Sequence, residues 1–538
     1  MMAFSDRRLP VRAFVLVVAA TCALLLALPG QTVTTRYLDD LLLILDGAYR
    51  VTSGQVPSHD FHTPLGPLTY YLPAMGYVLS GSLGGTMPAA MALITLALSI
   101  PMLHVLSSRL HAVIAILFGV FLLLILAVPI NLGEGITALT FAKFYNRIGW
   151  AALGILLIMY LRPRQLRKRQ EILDILCAAA LALVMLYTKA TYGIVALAFL
   201  MFMLTDRQQR RWVLVALALI VLSSLVVEVV WRSSLSYLGA LRLALDVGGH
   251  LRGTWGQIAD HILVNLTDYV LLCLFAGLSL KRTRSFREGL FYLFCAVTGF
   301  LIINQNFQAW GIIALHAAAA VAAETVLRRE EKATPAASED IWSVSSGTKL
   351  LFLALVLPTV VHCSAALGLH IISASTRAGQ SLDLPHLERV RLANLWTWGD
   401  YDTANLHLAA LRDGVEALSE IGLSDSRIFV LAKSNPFPMI LNASPPVGDM
   451  PWLQWERTLN TSAFIPAETL LANADVVMEP KSPGVHPEQN PAGIGLKALY
   501  SSYIADHYEG VRETDHWTIY RRRLGSQPTI GMHSAEPS

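Results

Sequence analysis

The sequence predicts an α-helical polytopic membrane protein of about eleven transmembrane helices, followed by a small C-terminal α/β domain. Three observations point there. Apolar residues make up 54% of the 538 and charged residues only 15%, with a mean hydropathy of +0.52; soluble chains run near about 45–50% and about 25%. The apolar residues gather into runs long enough to cross hydrocarbon. Charge is denser beyond residue 376 than before it. This composition excludes an ordinary soluble enzyme and a disordered chain. A net charge of +3 in scattered short clusters excludes a nucleic-acid binder. The cysteines (Cys22, Cys177, Cys273, Cys295, Cys363) lie in apolar segments without metal-ligand spacing, and read as small buried hydrophobes.

A span needs roughly 20 mostly apolar residues. Such stretches run 12–30, 86–108, 111–131, 147–162, 171–188, 190–205, 212–231, 263–280, 288–304, 309–327 and 349–373. The stretch 67–82 is apolar but broken by Pro67, Pro73 and Gly76, and reads as an interfacial helix. Basic residues in short loops set the orientation. Arg7, Arg8 and Arg12 precede the first span. Arg109, the runs 162–170, 207–211 and 281–284, and Arg328, Arg329 and Lys332 fall on that same side when eleven spans are counted. A span at 67–82 would move the later clusters across. The amino terminus is therefore expected in the cytoplasm and residues 374–538 outside. The first segment reads as an uncleaved helix, since no small-residue cleavage site follows it convincingly. Segments 31–85, 132–146 and 232–262 are then outside, and 328–348 is a polar cytoplasmic linker. No internal repeat is visible.

The tail has globular features. Residues 406–422 carry apolar side chains at helical spacing, 427–432 and 474–480 read as short buried strands, and 508–523 as a hairpin. The expected layout is a membrane domain over 1–373, an outside α/β domain over 374–523, and a disordered end over 524–538.

The first outside loop carries the chemistry. Asp39 and Asp40 follow the first span closely. Asp46 shares a helical face with Asp39, whereas Asp40 points about 100° away. Then come Arg50, the Gly54/Pro57 turn, His59, Asp60, His62 and a Pro64/Gly66/Pro67 turn leading into Tyr70 and Tyr71. A carboxylate fixed at a membrane surface and partly shielded from water is a good general base for an alcohol. Cations beside it hold a phosphate leaving group; Arg36, Arg50, His59, His62, Arg147 and Lys189 are the candidates. Lys189, alone between two apolar runs, is costly there unless it functions or snorkels. Asp46 has a structural alternative as the i,i+4 partner of Arg50. The Asp-Asp and His-x-x-His pairs offer donors to a divalent ion, but no fixed-spacing motif is present, so no metal or other cofactor is expected.

At these residues the chain resembles the GT-C class of polytopic glycosyltransferases, which includes protein O-mannosyltransferases, aminoarabinose transferases of lipid A and bacterial uronic-acid transferases. The motif elements are Asp39-Asp40, Gly54/Pro57, Asp60-Phe61 and Pro64-Leu65-Gly66-Pro67 with Tyr70-Tyr71, in order behind a first span. The resemblance implies a membrane glycosyltransferase that takes sugar from a polyprenyl-phosphate carrier and inverts the anomeric carbon. The acceptor is a hydroxyl on a glycolipid, polysaccharide or protein outside the membrane. It implies Asp39 as base, with Asp40 standing where many relatives carry Glu, so the assignment between the two stays open. Arg147, Lys189 and His62 are expected at the donor phosphate, Arg147 and Lys189 by position. Arg50, His59, Asp60 and Tyr70 are expected around the substrate. The expected location is a bacterial inner membrane, with the C-terminal domain in the periplasm. Competing readings are a polysaccharide polymerase or ligase, suggested by Arg242, His250, Arg252 and His261 in one late loop, and a lipid or solute transporter.

Overall fold

The computed structural model describes residues 8–166, 168–248, 255–306, 308–333, 343–481 and 491–525. Each of the eleven apolar stretches coincides with helix over most of its length, 263–280 across a bend. Among the described residues, six helices are long and apolar enough to cross a membrane: Pro10–Ala27 within Arg8–Ala27, Leu83–Arg109, Gln170–Thr188, Arg210–Trp231, Phe286–Gln305 and Val344–Ser375. The bent pair Ile258–Val264 and Leu266–Thr283, angled at 67°, makes a seventh if it is one span. Ala112–Ala127, Phe144–Ile158 and Ala190–Met203 are apolar but shorter. Ile313–Ala333 is apolar at its start and charged at its end.

Their surroundings explain the short helices. Every residue of Phe144–Ile158 is buried, and a helix that is apolar all round belongs in an interior. It packs among Ala112–Ala127, Gln170–Thr188 and Ile313–Ala333. By contrast, Arg210–Trp231 buries only Trp212, Val213, Ala216, Ile220 and Trp231, leaving an apolar outer face suited to lipid. Leu68–Ser80 is a 13-residue helix containing Pro73, too short to cross, and lies against Leu83–Arg109.

The C-terminal region holds a four-stranded sheet in the order Ile428–Val430, Val476–Pro480, Trp517–Arg522, Tyr508–Glu513. The first pair is parallel and the rest antiparallel. The expected helix is Trp398–Glu420, longer than its periodic stretch at the amino-terminal end. A second, three-stranded sheet is not signalled in the sequence. Thr32–Thr34, just past the first helix, pairs in parallel with Val390–Leu392, which pairs antiparallel with Gln380–Ser381. It ties the start of the first loop to the C-terminal region. The expected disordered end lies outside the described residues apart from 524 and 525, as do residues 334–342 of the expected linker; the rest of 328–348 is helical apart from Ser343.

The basic clusters that the sequence places on one side converge at one end of the bundle. Arg109 meets Asp174 at 2.7 Å, Arg162 and Arg287 share Asp206, and Arg164 and Arg328 share the buried Glu324.

Candidate functional site

Asp39 and Asp40 form the first turn of the helix Leu38–Thr52, where the helix dipole favours negative charge. The preceding residue, Tyr37, takes a left-handed backbone with φ of 55°, a conformation that costs a non-glycine residue about 1–2 kcal/mol. Lys143, which precedes Phe144–Ile158, does the same at φ 55°. The two strained residues meet: the Lys143 ammonium lies 4.5 Å from the centre of the Tyr37 ring. The chain thus turns sharply at both points to set an acid pair beside a cation.

The partner of the acid pair comes from far along the chain. Lys433, just past the strand Ile428–Val430, reaches Asp39 Oδ2 and Asp40 Oδ1, each at 2.8 Å. Burial works to raise the Asp39 carboxyl, but Lys433 and then His407 outweigh it and hold the group below the usual aspartate range. The two carboxylates in turn raise the Lys433 ammonium against its own burial. The Nε2 of His407 is buried without a hydrogen-bond partner among the described residues, and burial lowers that imidazole. Arg36 bonds Glu134 and, at 2.9 Å, Asp400, which draws the start of Trp398–Glu420 over the acid pair. Nothing in the sequence near Lys433, His407 or Asp400 signals these roles, because the partners lie more than three hundred residues away.

Beyond Lys143 lies a cavity of about 270 Å³. Its lining combines polar side chains, Lys189, Arg457, Tyr145, Asn304 and Gln305, with apolar ones, Leu65, Leu241, Leu245, Leu301 and Trp452. Lys189 sits in the break between Gln170–Thr188 and Ala190–Met203. Its Nζ donates to Asn146 Oδ1 at 3.2 Å and to Asn306 Oδ1, and no carboxylate pairs with it among the described residues. Burial, reinforced by Arg457 and Lys143, pushes this ammonium down to about 7. The Pro64–Pro67 turn forms part of the wall. Gly66 N–H donates to Thr188 O at 3.2 Å, and any side chain at 66 would run into the Tyr187 carbonyl. Behind Lys189 is a smaller chamber of about 60 Å³, lined by Asn131, Glu134, Lys143, Asn146, Arg147, Asn306 and Gln308 among others.

The remaining predicted residues fall into two groups. Lys189 lines the large cavity and Arg147 the chamber. Asp39 and Asp40 line neither; Asp40 lies within electrostatic reach of Lys143 on the chamber wall and Tyr145 on the cavity wall. Arg50 does not face a cavity. It is fully buried, donating to Asp46 Oδ2 at 2.7 Å and in two-pronged fashion to Asp449 at 2.8 Å. Burial raises Asp46 to about 6 and raises Asp449 as well. The i,i+4 alternative for Asp46 is the one observed, and Arg50 acts as a joint between the first loop and segment 445–449, not as a substrate contact. His62 N–H donates to Asp449 O at 2.7 Å, placing His62 at that joint and not in the Lys189 cavity. Tyr70 is buried, with its hydroxyl 2.6 Å from Thr63, so it too is structural. Asp60 accepts from Val56 N–H at 2.6 Å and pairs with the exposed His59 at 2.8 Å; Asp60, but not His59, borders an open cleft with Tyr49, Gln55 and Asn442. Among the described residues no three His, Cys, Asp or Glu side chains gather in a metal-binding arrangement.

No known family matches the chain and no curated protein does. Two solved structures are similar to it over nearly its whole length. One is ArnT from Cupriavidus metallidurans in the apo state, at 13% identity over 94% of this chain and 97% of that one, with a TM-score of 0.44. The other is ArnT from Cupriavidus metallidurans bound to undecaprenyl phosphate, at 12% identity over 95% of this chain and 98% of that one, with the same TM-score of 0.44.

Proposed function

We propose that this chain is a membrane glycosyltransferase that moves a sugar from a polyprenyl-phosphate carrier to an acceptor hydroxyl. The observation that carries the reading is the cavity lined both by the cations Lys189 and Arg457 and by Leu65, Leu241, Leu245 and Leu301. An ammonium without a carboxylate partner is matched by a phosphate, and an apolar wall by a prenyl chain, each buried CH₂ contributing about 0.8 kcal/mol. Nucleotide sugars do not cross a bilayer, so a lipid carrier suits a site on the outer side. The membrane domain is read as 1–373 with eleven crossings and a cytoplasmic amino terminus. Residues 374–523 form a periplasmic domain over the site, in a bacterial inner membrane. The convergence of the basic clusters at the far end of the bundle supports that orientation.

In the reaction, the acceptor oxygen attacks the anomeric carbon from the face opposite the phosphate, inverting it. The carbon–oxygen bond to phosphate breaks, and its electron pair stays on the phosphate oxygen. Asp39 takes the hydroxyl proton; Asp40 is the alternative base. Lys189 and Arg457 meet the charge that grows on the leaving phosphate. Lys433 keeps Asp39 ionised and holds the pair in position, and must yield one carboxylate oxygen as the acceptor arrives. No cofactor enters this scheme. The test is transfer of labelled sugar from polyprenyl phosphate in host membranes by wild type, Asp39→Asn and Asp40→Asn. Loss in at least one variant with the protein still folded supports the reading; wild-type transfer by both variants removes the base.

A further inference from the structure

Two tryptophans project from the C-terminal region: Trp396 is 81% exposed and Trp398 68%. By contrast, Trp517 in the four-stranded sheet is buried, and its Nε1 donates to Ala410 O at 2.6 Å. Trp396 also takes a left-handed backbone, with φ of 63°, which bulky side chains rarely adopt. The turn that carries both rings is bonded on each side. Ala393 N–H donates to Thr34 O at 3.0 Å, Asn394 Oδ1 accepts from Thr397 N–H at 3.2 Å, and Asp400 pairs with Arg36 at 2.9 Å. The rings are therefore held outward by a fixed turn, not left in a loose one.

Those ties lead to membrane depth. Arg36 also bonds Glu134, whose backbone oxygen accepts from His362 Nε2 at 3.0 Å. His362 belongs to the span Val344–Ser375. After Lys349 the exposed large apolar side chains of that helix run from Leu350 to Ile372, about 33 Å at 1.5 Å per residue. This matches a hydrocarbon layer about 30 Å thick. His362 lies inside that band, next to the exposed Val361. Ile136, in the same segment as Glu134, is itself 40% exposed.

The helix Trp398–Glu420 changes character along its outer face. Trp398 and Leu406 are exposed near its start, Glu416 and Glu420 at its end, and at 3.6 residues per turn all four fall within about 80° around the axis. Its end meets the four-stranded sheet, where Arg512 pairs with Glu420 at 2.7 Å. The helix thus starts lipid-compatible and finishes in water. Asp402, exposed on the same face, sets the depth: a carboxylate is costly in hydrocarbon and at ease among headgroups.

We infer that Trp396 and Trp398 seat the C-terminal region in the lipid headgroup layer on the acid pair's side of the bilayer. Tryptophan suits that layer, with an apolar ring and a polar N–H. The contact is continuous with the lipid-facing surface of Val344–Ser375. Through the Asp400–Arg36 pair it holds the start of Trp398–Glu420 over the acid pair. It needs the membrane assignment and is independent of the glycosyltransferase reading.

The experiment places the full chain, one copy per phosphatidylcholine nanodisc, as wild type and as the double variant Trp396→Phe, Trp398→Phe. The fluorescence of the two tryptophans is the difference between the two proteins. It is read with a nitroxide at the lipid headgroup, with a nitroxide near the acyl chain end, and with iodide in the water. The expected result is loss of most of the difference signal with the headgroup label, a smaller loss with the deep label and little with iodide. A difference signal that iodide quenches and neither lipid label touches overturns the inference. So does one shielded from iodide only after a glycan is added, which would make the pair a sugar platform. If the double variant does not fold, hydroxyl-radical footprinting of wild type in the same nanodiscs decides. Protection of both tryptophans while Phe464, 41% exposed, is labelled supports the inference, and labelling of both overturns it. Absence of sugar transfer would remove the enzyme reading and leave this result standing.

Discussion

At one end of the helical bundle, Arg109, Arg162, Arg164, Arg287 and Arg328 are each matched to Asp174, Asp206 or Glu324. At the other end, no carboxylate pairs with Lys189 or Arg147 among the described residues, and their hydrogen bonds go to amides and carbonyls. Both ends are rich in basic side chains, so charge alone does not tell them apart. What differs is whether the protein supplies the counter-ion. A closed network costs its desolvation once and then stabilises helix packing. An open cation keeps that cost until something anionic arrives. The comparison teaches that the unmatched end is where a ligand completes the structure.

The largest expected effect breaks a closed network. Arg50→Met should strand Asp46 and Asp449 in a buried site and destabilise the fold by about 3–5 kcal/mol, read as a fall in the thermal midpoint in detergent. Arg109→Met should act similarly through Asp174 without altering transfer by the folded fraction. If either variant melts with wild type, those networks are not structural.

Next is the open end. Lys189→Met should weaken competition by bare polyprenyl phosphate roughly 10-fold or more, as expected for losing one charge-assisted bond, without lowering the melting point. The pH dependence sharpens this. With its ammonium near pKa 7 in the empty site, Lys189 is charged below that pH and neutral above it. Carrier binding should therefore weaken as pH rises through about 7, and protons should be taken up on binding above it. Lys189→Met should abolish that slope; a slope that persists in the variant assigns it elsewhere.

A smaller effect comes from Lys433→Met. Lys433 holds Asp39 low, so its loss lets burial raise the carboxyl. A base works when ionised, so the acid limb of the pH–rate profile should move to higher pH, and Lys433→Arg should restore it. A uniform loss of rate at every pH, with the limb unmoved, would mark Lys433 as merely structural.

Much of the fold was legible because hydropathy is a local property: each of the eleven apolar runs coincides with helix over most of its length, and the strands at 428–430 and 476–480 sit where short apolar runs place them. The short length of Phe144–Ile158 was not legible, since its full burial depends on neighbours distant in sequence. The site divides the same way. Asp39-Asp40 could be found from spacing behind the first helix, and Asp46–Arg50 from i,i+4 geometry. Asp449, which takes the other face of Arg50, and Lys433, which takes the acid pair, could not, because tertiary contact alone brings them there. For the same reason the sequence put Arg50 and Tyr70 around the substrate and His62 at the donor phosphate: it shows a polar side chain's neighbourhood but not its partner.

The central claim is that an aspartate in the first turn of Leu38–Thr52 accepts the acceptor's proton as a lipid phosphate departs. The most direct measurement is the transfer rate of Asp39→Asn, Asp40→Asn and the double variant at saturating donor, alongside carrier binding. The account predicts a fall of about 10²–10⁴-fold in at least one single variant, with carrier binding kept. Wild-type transfer by the double variant would contradict it.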